Sequence, residues 1–158
     1  MTKGYEPVGN EITNQLGDKI DILCASVGTG GAIMGAWKGL RKAIPKIELV
    51  AFEPLQSPLL TTGKGGSHQV EGIGVGFKPP FLDQSVLTEI RAIDQGKAFV
   101  MCRQLVHKEG VFCGASTGLN VVGAIELAKE IGPGKRVVTF ACDSGLKYLD
   151  TSVYLKKN

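Results

Sequence analysis

Long apolar runs are missing from this chain: none approaches the roughly 20 residues that a membrane-spanning helix needs, so no membrane role is expected. The opening stretch, MTKGYEPVGNEI, has no apolar core and no cleavage-like site, and does not read as a signal peptide. Paired cysteines are missing too. Cys24, Cys102, Cys113 and Cys142 form no C-x-x-C motif, and His68 and His107 stand far apart without ligand-like neighbours. This pattern argues against a zinc site and predicts reduced thiols packed as small hydrophobes; no metal is expected. An excess of either charge is also lacking. Eighteen Lys and Arg against fifteen Asp and Glu leave a net +3, and the basic residues are spread out, so electrostatics give no case for nucleic acid or an anionic membrane.

What the chain has in excess is glycine, 22 in 158 residues, about twice the average usage. The glycines fall at the ends of apolar runs, where they let backbone approach a ligand or turn sharply. With 43% hydrophobic and 21% charged residues, the composition is that of an ordinary globular domain long enough for one core.

The pattern along the chain alternates strand and helix. A short helix is expected over residues 10–16, then a strand over 21–26 that runs straight into VGTGG. A helix over 32–43 ends at Pro45, and a strand over 47–53 is stopped by Pro54. Residues 55–81 are rich in glycine and carry Pro58, Pro79 and Pro80, which predicts a mostly irregular and therefore functional segment. A third strand is expected over 88–93. Asp94 caps a helix that Gly110 ends, a second helix starts near Ser116 or Thr117 and stops at Gly132-Pro133, and a last strand spans 136–142. Such alternation indicates βαβ units and a parallel sheet covered on both faces, an α/β fold in three layers.

In open parallel sheets ligands sit beyond the carboxyl ends of the strands. Two strands end in glycine-containing polar turns, Ser26-Val27-Gly28-Thr29-Gly30-Gly31 and Asp143-Ser144-Gly145. The first leads into a helix, so its consecutive backbone N–H groups and the Thr29 hydroxyl are suited to a phosphate dianion. Two phosphate compounds fit that reading. A dinucleotide is one: Gly28 and Gly30 match G-x-G-x-x-G and Glu53 stands where a ribose-binding acid belongs, but Ile33 replaces the third glycine. A Rossmann-like oxidoreductase domain is thus an alternative.

The other reading rests on a resemblance. ASVGTGGAIMG resembles the phosphate loop of the cysteine synthase and cystathionine β-synthase group of fold type II pyridoxal-phosphate enzymes. GNEI, ELVAFEPLQSPLL, HQVEGIGVGFKPPFLD, EGVFCGASTGLNVVGAIELAK and TFACDSGLKYLDT follow in that family's order and cover essentially the whole chain. The resemblance implies that residues 1–158 form the larger, C-terminal cofactor-phosphate-binding domain of such an enzyme, with an incomplete sheet. It implies pyridoxal 5'-phosphate as cofactor, held at its phosphate by Gly28, Thr29, Gly30, Gly31 and Ala32. Family loops often carry a threonine where Ala32 stands, so one hydroxyl contact is absent. Gly72, in EGIGVG, is implied on the substrate side of the cofactor ring.

Ser144 is implied to face the pyridine nitrogen. A carboxylate there would make the ring a stronger electron sink, whereas a hydroxyl suits loss of a β-leaving group and addition of a nucleophile. Asp143 is the neighbouring candidate, but adjacent residues leaving a strand point to opposite sides, and the family pattern favours Ser144. Ser116 and Thr117 match a pair that starts a helix, and a capping role is expected. His68 is expected in a supporting rather than an acid–base role, and Lys78 and Lys147 are expected to point to solvent.

The implied activity is cysteine biosynthesis from O-acetylserine and sulfide. The family's lysine, which holds the cofactor covalently and moves the α-proton, lies in a Ser-x-Lys-x-Arg segment upstream, and no such segment occurs here. No catalytic residue is therefore expected in this chain, which reads as a half-enzyme, with a catalytically dead binding module as the alternative. The partners the resemblance implies are an amino acid of the O-acetylserine or serine class and the missing N-terminal half. Relatives are cytoplasmic homodimers, some of which dock serine acetyltransferase. Exposed apolar surface is expected where that half would pack.

Overall fold

The apolar runs do become a parallel sheet, and their alternation sorts its two cores. The computed structural model describes residues 2–155. Strands β1 (Ile22–Ser26), β2 (Glu48–Pro54), β3 (Glu89–Ile93) and β4 (Val137–Val138) form one sheet in the order β3-β2-β1-β4, every pair parallel. Along β1 and β2, Leu23, Ala25, Leu49 and Ala51 face one layer, while Ile22, Cys24, Val50 and Phe52 face the other. Both sets are buried, as strands covered on two sides require.

The first layer holds helices α1 (Thr2–Leu16) and α2 (Gly31–Arg41). They cross backbone on backbone. A Cβ on Gly9 would stand 2.2 Å from the Ala36 carbonyl oxygen, and one on Gly39 would stand 2.2 Å from that of Glu6. Helix α1 is longer than the expected 10–16 for this reason: Gly9, a breaker by propensity, is what lets α1 dock on α2, and Pro7 forfeits only one helical hydrogen bond.

The second layer holds α4 (Gln95–Glu109) and α5 (Ala115–Ile131). Asp94 caps α4 through the Lys97 N–H, and Gly110 closes it in the left-handed region, φ 69°. Between β2 and β3 the segment is mostly irregular, apart from the short helix α3 (Leu59–Thr62) and a 3-10 turn at Gln84–Val86.

The last strand departs from expectation. Only Val137 and Val138 pair with β1, and residues 139–142 run beside it without forming a ladder. Side chains replace the missing bonds. Thr139 Oγ1 donates to the Cys24 carbonyl, and Asn120 from α5 accepts from the Ser26 N–H and donates to the Phe140 carbonyl. The sheet therefore forks at its carboxyl end between β1 and β4. Strand order reverses at this point, since β1 leads outward to β2 and β3 while β4 returns on its other side.

Candidate functional site

The fork opens into a cleft of about 300 Å³. Its floor is Ser26 and residues 28–33, one wall is Glu71, Gly72 and Ile73, and the other is Ser116, Cys142, Asp143, Lys147 and Tyr148. Tyr5 of α1 closes one end.

The floor is a fixed cradle. Val27 donates its N–H to Phe52 and accepts from the Gly74 N–H at 3.1 Å, while the Thr29 carbonyl accepts from the Phe81 N–H. Gly30 caps α2 in the left-handed region, φ 86°, ψ −5°, a conformation that favours glycine. The wall leans directly on this loop: a Cβ on Gly28 would lie 2.4 Å from the Gly72 carbonyl oxygen. With the carbonyls tied off in this way, none of the six backbone N–H groups of residues 28–33 has an acceptor among the described residues. They gather at the positive end of an 11-residue helix. Thr29 and Ala32 are exposed at the cleft. This arrangement can hold a dianion such as a phosphate ester without a charged side chain, and it fits the phosphate of pyridoxal phosphate.

The opposite wall is polar and tightly connected. Tyr148, 2% exposed, donates its hydroxyl to Asp143 Oδ2 at 2.8 Å. Burial, and then that bond to Asp143, holds the phenol well above its usual titration range. Lys147 Nζ lies 3.4 Å from the same carboxylate and 3.9 Å from Glu71, so it bridges the two walls at the rim. Thr117, 1% exposed, accepts the Cys142 N–H at 2.9 Å, and Asn120 donates to the Cys142 sulfur.

Of the residues singled out from sequence, Gly28, Thr29, Gly30, Gly31, Ala32 and Gly72 meet in this one cleft. Ser144 does not join them. It is exposed, and its hydroxyl accepts from the Leu146 N–H to cap a 3-10 turn at Gly145–Tyr148. Asp143 and Ser116 line the cleft instead. The capping reading of Ser116 and Thr117 also needs correction, because Gly114 is the cap of α5 and both residues are buried inside its first turn. The Ser116 hydroxyl has no hydrogen-bond partner among the described residues, which leaves it free for a ligand. Lys147 is largely exposed as expected, yet it stands at the rim rather than clear of the site.

His68 holds the wall from behind: its Nδ1 accepts from the Val70 N–H, so Nε2 carries the proton donated to the Gly74 carbonyl. Glu53 is not available to a ribose. It is 2% exposed, and its carboxylate accepts from the Leu60 N–H, the Thr61 N–H and the Thr61 hydroxyl. The described residues contain no cluster of three His, Cys, Asp or Glu that could hold a metal. They also contain no helix long and apolar enough to cross a membrane.

Sequence reasoning missed Asn120 and Tyr148. Asn120 had a signal, a lone amide in the otherwise apolar run LNVVGAI; Tyr148 had none beyond its place after the serine turn.

Comparison with known proteins identifies the family and the fold. Residues 1–143 match the family described as pyridoxal-phosphate dependent enzyme. A cysteine synthase of Staphylococcus aureus is 41% identical over 147 residues, which is 92% of this chain and 47% of the relative. Among solved structures, a hydrogen sulfide-producing enzyme from Fusobacterium nucleatum superposes with a TM-score of 0.92 at 33% identity over 99% of this chain and 48% of that one. A cysteine synthase from Entamoeba histolytica gives a TM-score of 0.91 at 30% identity, over 99% of this chain and 47% of that one. The chain spans about half the length of the curated relatives it matches.

Proposed function

The chain belongs to the pyridoxal-phosphate-dependent enzyme family, and from that premise we propose that it is the cofactor-phosphate-binding half of a cysteine synthase. The supporting observation is the row of six unpartnered N–H groups over residues 28–33, at a strand-order reversal and at the N-terminus of α2. Gly28, Thr29, Gly30, Gly31 and Ala32 bind the cofactor phosphate, and the Gly72 wall excludes water from one face of the ring.

Ser116, rather than Ser144, offers its hydroxyl to the ring nitrogen, because Ser116 lines the cleft wall while Ser144 caps a turn outside it. Bound pyridoxal phosphate supplies an electron sink for bonds at the α-carbon of an amino acid. A hydroxyl partner favours exchange at the β-carbon: the C–O bond of O-acetylserine breaks, acetate leaves, and sulfide forms the new C–S bond of cysteine. The lysine that holds the cofactor covalently belongs to the other half of the relatives' length. Exposed Leu146 and Leu149 beside the cleft, 68% and 52% exposed, suit a surface that such a half covers.

The test uses the purified chain with pyridoxal phosphate. Saturable binding by equilibrium dialysis, displaced by inorganic phosphate, is expected, together with no cofactor mass increment after borohydride reduction. Absence of binding would remove the cofactor reading. A covalent adduct at one residue, with Lys147 at the rim the first to inspect, would show that this half carries its own anchoring lysine.

A further inference from the structure

Beyond the phosphate loop, the cleft depends on a gap between β1 and the segment after β4, and one side chain spans that gap. The even-numbered residues of β1 aim their peptide groups at β4. Ile22 donates to the Arg136 carbonyl in the ordinary way, but the Cys24 carbonyl accepts from the Thr139 hydroxyl, and the Ser26 N–H reaches only Asn120 Oδ1, at 2.7 Å. Asn120 is 0% exposed, and its Nδ2 donates to the Phe140 carbonyl at 3.0 Å and to the Cys142 sulfur at 3.4 Å. The amide thus stands where a peptide unit would stand in a continuous ladder, with one edge on each arm of the fork. Ser26 leads directly into the phosphate loop, and Cys142 leads into Asp143 on the facing wall.

We infer that Asn120 is a positioning residue that sets the distance between the phosphate loop and the Cys142–Asp143 wall, and so tunes how a phosphate-bearing ligand is gripped. The inference rests on the cofactor-site reading above. The physical reason is that the Ser26 N–H and the Phe140 C=O are half-buried polar groups whose shared partner is the fully buried Asn120 amide, and each needs a partner in its place. Without the amide they must find each other, closing the fork, or admit water, loosening it. Either way the floor and the wall lose their relative placement.

Three variants test this. Asn120→Leu removes both partners at similar volume. Asn120→Asp keeps the acceptor for Ser26 but turns a carboxylate oxygen toward the Phe140 carbonyl, which becomes favourable only when the buried acid is protonated. Tyr154→Phe removes a hydrogen bond to the Cys113 carbonyl that lies outside the cleft, as a control for stability alone.

Amide exchange of Ser26 in the ligand-free protein and the dissociation constant for pyridoxal phosphate are the two readouts. In Asn120→Leu we expect Ser26 protection and ligand affinity each to fall about tenfold or more, the scale of a lost buried hydrogen bond. In Asn120→Asp affinity should be weak at neutral pH and recover on acidification, a rescue that stability alone does not produce. Tyr154→Phe should lower Tm and move neither readout. Wild-type Ser26 protection and affinity in Asn120→Leu would overturn the inference. A wild-type chain that binds no pyridoxal phosphate defeats the cofactor reading instead, and Ser26 exchange still decides the fork.

Discussion

At Gly28 the space for a side chain is already occupied, since a Cβ would fall 2.4 Å from the Gly72 carbonyl oxygen. Backbone cannot yield there without moving the whole wall. Gly28→Ala should therefore weaken pyridoxal phosphate binding by about tenfold or more, the cost of a small steric displacement at an anion cradle. Tm should fall as well, because the displaced wall carries Ile73, which is 7% exposed and packs into the core. Ser144→Ala, by contrast, should leave affinity unchanged, and titration of the three proteins by equilibrium dialysis separates these outcomes. The phosphate loop was legible because a strand, a glycine cluster and a helix follow one another without interruption. The serine was not. Deciding whether Asp143 or Ser144 faces the ligand by alternation presumes a continuous strand, and residues 139–142 are not one. What places Asp143 in the wall is the hydroxyl of Tyr148, five residues ahead, and no local period encodes that bond.

The same limit holds for whole elements. Strands β1, β2 and β3 and helices α2, α4 and α5 follow from their apolar runs and their caps, because their sequence pattern and their packing agree. Helix α1 and strand β4 do not, since tertiary contacts decide both. Gly9 and Gly39 read as helix breakers by propensity, yet they are the residues that bring α1 and α2 into backbone contact. Two substitutions with opposite signs follow. Gly39→Val would thrust a side chain into the Glu6 carbonyl and part the helices. Overpacking of this kind costs about 1–3 kcal/mol, a fall in Tm of roughly 3–10 °C for a domain of this size. Gly4 lies on the open side of α1 with nothing near a Cβ, so Gly4→Ala should raise Tm by roughly 1–4 °C through helix propensity alone. Thermal unfolding followed by circular dichroism reads both. Equal and opposite shifts are not required, but a stabilised Gly39→Val would refute the close crossing.

For the molecule as a whole, the core beneath α5 has a chemical weakness that the cysteine spacing announced only in part. Lack of paired motifs indicated buried reduced thiols, and Cys24, Cys102 and Cys113 are buried while Cys142 is exposed in the cleft. Burial pushes the Cys24 thiol from its ordinary 9.0 up to about 12, and Cys102 likewise to about 12. The folded protein therefore keeps these protons at a pH where the unfolded chain has released them. Above pH 9 the unfolded state binds fewer protons than the native state, so the derivative of unfolding free energy with pH is negative. The stabilisation is complete below the unfolded value and is lost as pH rises from 9.0 through about 12. Urea midpoints measured under reducing conditions should be flat below this window and fall within it. Cys24→Ala/Cys102→Ala removes both groups while leaving every lysine and tyrosine in place. That variant starts lower at neutral pH, because two packed sulfurs are gone, but its midpoint should decline less steeply between about pH 9 and 11. Parallel declines in the two proteins would mean that the alkaline loss comes from other groups, the buried Tyr148 phenol and the surface charges among them, and that the buried thiols titrate as they do in the unfolded chain.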